Sequence, residues 1–237
     1  MSQELTTILL CGGKGERLRP FTDTLPKPLV TLNGKPILLH LLRYLSLCGV
    51  RQFVACVGYK AEAIEEFIAQ NAAREKWNIR AVNSGDASMT DRILDARPHA
   101  TGRALVCYGD TLANIDLADL ISHHESTSAI ATLSVYPLQS PFGIVQFDEQ
   151  SRIVSFAEKP VLPYWVNIGF LLLEPEAMNL LQRGSDMVQF LGSLVQTGRF
   201  NVYRHEGRHL TINTEKERAM AEAQVGEFFT VLDGHSQ

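Results

Sequence analysis

Leu10 to Leu29 reads LCGGKGERLRPFTDTLPKPL and carries the densest chemistry in the chain. Gly12, Gly13 and Gly15 follow a short apolar run. Glycines there let the backbone turn tightly and approach a ligand, with N–H groups free to face phosphate oxygens. Lys14, Arg17, Arg19 and Lys27 add cations around them. Arg17 can offer a planar fork to phosphate oxygens, whereas Lys27 acts as a point charge. Pro26 and Pro28 flank Lys27, and the sequence predicts an extended stretch there. The whole chain has 22 Lys and Arg against 26 Asp and Glu, a formal net charge of -4. Nucleic acid and anionic membrane are therefore not expected partners, and the local cations point to a small polyanion. Neither the Walker pattern GxxxxGK[ST] nor the dinucleotide fingerprint fits, since Leu18 stands where the latter needs its third glycine.

Asp110 is the second candidate. It follows a buried-type strand, Arg103 to Tyr108, and Gly109. A carboxylate at the C-terminal end of a parallel strand faces the crevice where open α/β sheets bind ligands. Its hard oxygens suit Mg²⁺, which takes one or two carboxylates plus substrate phosphates. Asp116 reads as a helix cap. His123 and His124 are adjacent on a helix and face different ways, and the other histidines show no metal spacing. There is no GxSxG elbow. Cys11, Cys48, Cys56 and Cys107 sit among apolar neighbours without CxxC spacing, as reduced core thiols of a cytoplasmic protein.

The chain that must hold these groups has 237 residues, 45% hydrophobic and 20% charged, an ordinary globular composition. No apolar run reaches the roughly 18 residues of a membrane helix, and no signal peptide is visible at the start. Strand-like runs at Thr6–Cys11, Gln52–Tyr59, Ile79–Asn83 and Arg103–Tyr108 alternate with helical ones at Ile37–Cys48, Ala61–Gln70, Ser88–Ala96 and Asp116–Ser126. This alternation predicts a mostly parallel sheet covered by helices. After residue 126 the pattern changes. Strands are expected at Ala129–Tyr136, Gly143–Phe147, Arg152–Ala157 and Trp165–Leu173, with a tight turn near Asp148–Ser151. Helices near Glu176–Gln182 and Met187–Gln196, short strands at Asn201–Tyr203 and Leu210–Ile212, and a last helix over Thr214–Phe228 complete the chain. The expectation is one α/β domain over 1–237, with halves 1–126 and 127–237 and a small antiparallel insertion.

GGKGERLRPFTDTLPKPL resembles the signature of sugar-phosphate nucleotidyltransferases. The resemblance continues in Gly34-Lys35-Pro36, Tyr108-Gly109-Asp110, Glu158-Lys159-Pro160 and Asn167-Ile168-Gly169, in the family's order. It implies a Rossmann-like mixed sheet with helices on both faces. The implied reaction transfers a nucleoside monophosphate from an NTP to a sugar 1-phosphate, with Mg²⁺ and release of pyrophosphate. Arg17, Lys27 and Asp110 match the family's catalytic positions, and Asp110 its metal-holding aspartate. Leu10, Gly12, Gly13, Lys14, Gly15 and Gly109 match its nucleotide side. Gly143, Glu158, Lys159, Asn167 and Gly169 match its sugar-phosphate side. A second metal aspartate is often found on a late strand; the matching residue here is Asn213, which can ligate weakly or cap the last helix.

Around the base, Ser84-Gly85-Asp86-Ala87-Ser88-Met89-Thr90 resembles a stretch of glucose-1-phosphate cytidylyltransferases. Ser84, Gly85, Ser88 and Met89 are the expected base contacts. Asp91 and Arg92 stand where that branch has paired glycines. CTP is the favoured donor, with guanylyl or uridylyl transfer, or another phosphorylated acceptor, as alternatives. A catalytically silent nucleotide-sugar sensor is a third reading, motivated by Asn213. A homo-oligomer is compatible with the sequence, which does not fix the assembly.

Overall fold

The computed structural model describes residues 5–228. The strands are β1 (Leu5–Leu10), β2 (Thr31–Leu32), β3 (Lys35–Pro36), β4 (Gln52–Val57), β5 (Asn78–Asn83), β6 (Arg103–Tyr108), β7 (Thr111–Ala113), β8 (Ala131–Gln139), β9 (Ile144–Phe147), β10 (Ile153–Ala157), β11 (Val161–Leu173), β12 (Phe200–Arg204) and β13 (His209–Thr211). The helices are α1 (Phe21–Thr24), α2 (Ile37–Leu47), α3 (Ala61–Glu75), α4 (Met89–Ala96), α5 (Leu117–Ser126), α6 (Pro175–Met178), α7 (Met187–Gln196) and α8 (Glu215–Gln224).

Seven strands form one sheet in the order β12-β8-β11-β6-β1-β4-β5. β1 pairs in parallel with β4 and β6, β4 with β5, and β12 with β8, whereas β11 runs antiparallel to β6 and β8. Both halves of the chain thus contribute to a single mixed, mostly parallel sheet. Alternate residues of β1 and β6 feed opposite faces, as the period of a strand demands. Leu9, Leu105 and Cys107 join a core with Leu38 of α2, Ile64 of α3 and Leu117 of α5. Ile8, Ala104 and Val106 join the other core with Ile93 of α4 and Phe190 and Leu194 of α7. The result is the Rossmann-like arrangement with helices on both faces.

Local chemistry sets most boundaries. Asp116 caps α5, its carboxylate accepting from the N–H groups of Ala118 and Asp119 at 3.0 Å. The β9–β10 turn is closed by Asp148, whose Oδ1 accepts from Gln150 N at 3.0 Å and Arg152 N at 2.9 Å. Several elements differ from the sequence expectation. α3 runs on to Glu75 because Ala72 still packs on the core and Lys76 closes the helix in the left-handed conformation. β11 begins at Val161, four residues before Trp165, because it pairs with the long β8. The helix expected over Glu176–Gln182 ends at Met178. The β2–β3 and β7 segments are too short for any periodicity to reveal.

The four cysteines are free thiols, but Cys48 is only half-buried at the end of α2, so three of them are core residues. Burial holds the Cys11 and Cys107 thiols well above their ordinary range and pushes Cys56 up to about 12. Among the described residues no helix is long and apolar enough to cross a membrane. His123 and His124 diverge as expected: His123 reaches the Val202 carbonyl, and buried His124 meets Thr132 and Glu174.

Burial also depresses the imidazole pKa of His40, His124 and His205, and that of His209 to about 4. A depressed histidine binds its proton more readily in the unfolded chain. Its stabilising contribution is therefore complete above about pH 6.5 and is lost as pH falls toward 4. Chemical denaturation between pH 7.5 and 4.5 should show stability falling over that window, and His209→Phe should flatten the slope. An equal slope in both proteins would contradict this.

Candidate active site

β1 and β6 lie side by side, with Leu10 in register with Tyr108, yet from β1 the sheet continues through β4 and β5 on the other flank. Such a reversal of strand order opens a crevice at the C-terminal strand ends. A cleft of about 610 Å³ occupies that position. One wall holds Leu10, Gly12, Gly13, Lys14, Gly15 and Arg17; the floor includes Lys27, Tyr108 and Asp110; Asp86, Ala87, Met89 and Arg92 form the facing wall.

Gly15 has φ 65° and starts a tight turn over Glu16–Leu18. A Cβ there would lie 2.9 Å from Lys27 Cβ and 3.0 Å from Thr22, so the glycine lets the Lys27 segment pack under the loop. Thr22 Oγ1 fixes that approach by donating to the Gly15 carbonyl at 3.0 Å. The Lys27 segment is not extended throughout. Pro26 is, but Lys27–Leu29 form a 3-10 turn closed by the N–H groups of Leu29 and Val30. That turn asks nothing of residue 28, so the missing N–H of Pro28 costs nothing.

The turn presents Lys27 inward, with its side chain only 8% exposed. Its Nζ lies 2.6 Å from Asp110 Oδ2 and donates to Asn213 Oδ1 at 3.0 Å. Arg17 Nη2 donates to the same Asn213 oxygen at 3.0 Å. A two-stranded ribbon builds this cluster. β13 pairs with β7, Thr211 opposite Thr111, so the residue before β7 and the loop after β13 meet. Asn213 is not the cap of α8: Thr214 is, in a reciprocal box with Glu217, and Glu217 Oε2 also accepts from Asn213 N at 2.7 Å. The Asn213 side chain is thereby left to face the two cations.

Among the described residues no three His, Cys, Asp or Glu side chains gather as a complete metal cage. Within the cluster of Arg17, Lys27 and Asn213 the carboxylate comes from Asp110, which fits Mg²⁺ completed by substrate phosphates and water. The Asn213 oxygen already accepts from two cations, so the expected second ligand is engaged in orienting Arg17 and Lys27.

On the facing wall the expected residues separate. Met89 lines the cleft, and Gly85 turns the chain at φ 61°. Ser88 is the N-cap of α4, its Oγ accepting from Asp91 N and donating to the Ser185 carbonyl. Ser84 is not a cleft-lining residue; its N–H continues the sheet to the Val57 carbonyl at 3.2 Å. Gly109 supports the floor through its N–H to the Leu10 carbonyl. Arg92, singled out in the sequence only as a substituted glycine, lines the cleft while 5% exposed.

The sugar-side residues form two groups. Gly143 lies beside Glu158, whose Oε2 would be 3.0 Å from a Cβ at 143, and Lys159 Nζ is 3.9 Å from Glu158 Oε1. Neither Glu158 nor Lys159 lines the main cleft, and both are exposed. Asn167 and Gly169 lie instead against Tyr108. Asn167 Oδ1 accepts from Gly169 N at 2.7 Å, and Gly169, at φ 79°, leaves room for the Tyr108 ring. Tyr108 borders both the main cleft and this group. The sequence names Tyr108 only within the matching Tyr108-Gly109-Asp110 and gives it no role, because it ends a strand that reads as core.

Residues 6–197 match the family model described as Nucleotidyl transferase. The chain belongs to this family. The "Probable glucose-1-phosphate cytidylyltransferase" of Bacillus subtilis (strain 168) is 33% identical, over 90% of this chain and 92% of its own. A mannose-1-phosphate guanyltransferase of Yarrowia lipolytica is 30% identical, over 73% of this chain and 50% of its own. In fold, HddC from Yersinia pseudotuberculosis aligns with TM-score 0.74 and 21% identity, over 92% of this chain and 98% of its own. The first two relatives carry the names of sugar-1-phosphate nucleotidyltransferases, and HddC shares the fold.

Proposed function

We propose that the protein transfers CMP from CTP to a sugar 1-phosphate, with glucose 1-phosphate as the leading acceptor. The observation that carries the reading is the cluster of Arg17, Lys27, Asp110 and Asn213 at the end of a glycine loop. It puts two oriented cations and one carboxylate beside backbone N–H groups suited to a triphosphate. The cytidylyl choice is supported by the Ser84–Thr90 stretch and by the names of relatives that align along about 90% of the chain.

In this reading an acceptor phosphate oxygen attacks the α-phosphorus in line. The new P–O bond forms as the bond to the β-phosphate oxygen breaks, and pyrophosphate leaves with that electron pair. No protein nucleophile is needed, and the buried Cys11 thiol, held protonated, offers none. Arg17 and Lys27 bind the phosphates and offset their growing charge; Asn213 keeps both aimed at one place. Lys27 meets the substrate already desolvated, which strengthens its pull. Mg²⁺ on Asp110 would supply further charge neutralisation and orientation. Glu158 and Lys159 would approach the sugar and its phosphate from the β9–β10 side, while Asn167 and Gly169 line the pocket next to Tyr108.

Pyrophosphate release with a panel of NTPs and sugar phosphates tests this directly. CTP with a hexose 1-phosphate should give the highest kcat/KM, and Arg17→Ala or Lys27→Ala should lower it by about a hundredfold or more in folded protein. A GTP or UTP preference would replace the base assignment. Absence of turnover with every pair, alongside tight nucleotide-sugar binding, would favour a sensor.

A Mg²⁺ titration separates the two polar partners of Lys27. Asp110→Ala should remain nearly inactive at any Mg²⁺ concentration. Asn213→Asp adds a charge beside Asp110 and should lower the concentration giving half-maximal rate. An unchanged midpoint there would restrict Asn213 to orienting the cations, and an active Asp110→Ala would remove Asp110 from the metal site.

A further inference from the structure

Arg92 is a buried cation whose three acceptors are all neutral backbone carbonyls. Nη1 donates to Val57 O at 2.7 Å, and Nη2 to Gly12 O at 3.2 Å and Gly85 O at 2.7 Å. These carbonyls lie at the C-terminal ends of β4, β1 and β5, three neighbouring strands. One side chain therefore touches three strand ends that the backbone joins only pairwise, Tyr59 N donating to the Gly12 carbonyl at 3.1 Å and Ser84 N to the Val57 carbonyl at 3.2 Å. Two glycines accept it: a Cβ on Gly12 would run into the guanidinium, and one on Gly58 would lie 2.6 Å from Nη1.

α4 holds Arg92 in place from outside. Asp91 Oδ1 accepts from Gly184 N at 2.8 Å, and Arg183 pairs with Asp95 at 2.7 Å. The Cys56 thiol also donates to the Arg92 carbonyl at 3.3 Å. By contrast, the other link across the cleft, Lys14 to Asp86, is 3.5 Å long between side chains 56% and 87% exposed. A pair so exposed contributes little rigidity. Arg92 therefore supplies, among the described residues, a buried side-chain link directly between the Gly12 loop and the Gly85 loop, in addition to the backbone bonds that join each to the end of β4. Those loops carry the two walls between which a base attached to the bound triphosphate must lie.

We propose that Arg92 is a specificity-setting positioning residue: by tying Gly12, Val57 and Gly85 it fixes the width of the base pocket, so that the pocket discriminates among bases. This rests on the nucleotidyl-transfer reading. Discrimination of a base edge needs polar groups held within tenths of an ångström, because a misplaced wall leaves right and wrong bases equally unpaired. A planar fork with several donors can bridge three carbonyls in a fixed geometry, which an ammonium cannot. The acidic partner usual for a buried arginine is replaced here by converging carbonyl dipoles.

The test uses Arg92→Gln and Arg92→Lys in the full chain, with folding confirmed by thermal denaturation. Hydrogen exchange without nucleotide should show residues 10–16, 56–60 and 83–88 exchanging faster together, by about tenfold or more, while the strand interiors keep their wild-type protection. In steady state, the kcat/KM ratio of the best NTP over the next best should fall by about tenfold or more in Arg92→Gln. KM should rise more than kcat falls, and Arg92→Lys should recover part of the ratio. A folded Arg92→Gln that keeps the wild-type ratio overturns the proposal, as does faster exchange confined to α4. If the wild-type protein turns over no NTP, the transfer reading fails on its own. The ratio is then taken from calorimetric dissociation constants for CTP, UTP, GTP and ATP, and Arg92 is judged on that ratio and on the joint exchange of the three segments.

Discussion

The Lys27 ammonium, held between Asp110 and Asn213, is the interaction on which the arrangement of the cleft depends. A cation this buried is unfavourable without partners that satisfy its donors and charge. Asp110 supplies the charge at 2.6 Å and Asn213 a second acceptor at 3.0 Å. Each partner comes from a different part of the chain. Lys27 rides on the turn packed beneath Gly15, Asp110 closes β6, and Asn213 follows β13. The requirement that the three meet explains features that otherwise look incidental. The β7–β13 ribbon exists to bring residue 213 to residue 110, and Gly15 leaves room for the turn that carries Lys27.

The sheet supplies the frame for this meeting. β6 and β1 end together, and the chain departs from them in opposite directions, so the cleft forms without any loop having to move aside. Tyr108 marks the join between its two functions. Its ring packs over Gly169 while the residue borders the main cleft, so one side chain separates that cleft from the Asn167–Gly169 group. The facing wall is fixed differently. There, three strand ends are gathered by the Arg92 guanidinium rather than by an ion pair. The Arg17–Lys27–Asn213 cluster and the Arg92 bridge are thus separate polar devices that share the glycine loop.

Much of this was legible in the sequence where local chemistry and global packing agree. The strand Arg103–Tyr108, the helix Met187–Gln196 and the Asp116 cap follow from runs of apolar residues and from one carboxylate at a helix start. The glycine loop, Arg17, Lys27 and Asp110 were legible because their types and order are chemically unusual. Ser88 and Asn213 were ambiguous in the sequence for a common reason. Serine and asparagine both cap helices and bind ligands, and only the neighbours decide: Ser88 caps, whereas Thr214 takes the cap that Asn213 could have filled. The bridging position of Arg92 was hidden because its acceptors are main-chain carbonyls, which carry no residue-type signal. β7 was hidden because a three-residue strand has no period, and its partner lies about a hundred residues away in the chain.

A crystal structure of the wild-type protein with CTP and Mg²⁺ tests the account most directly. The triphosphate should lie along the backbone N–H groups of residues 12–17, with Arg17 and Lys27 on its oxygens and Asn213 still touching both cations. The base should sit between the Gly12 loop and residues 85–89. A triphosphate bound away from that loop, or a base on the Tyr108–Gly169 side, would contradict the account.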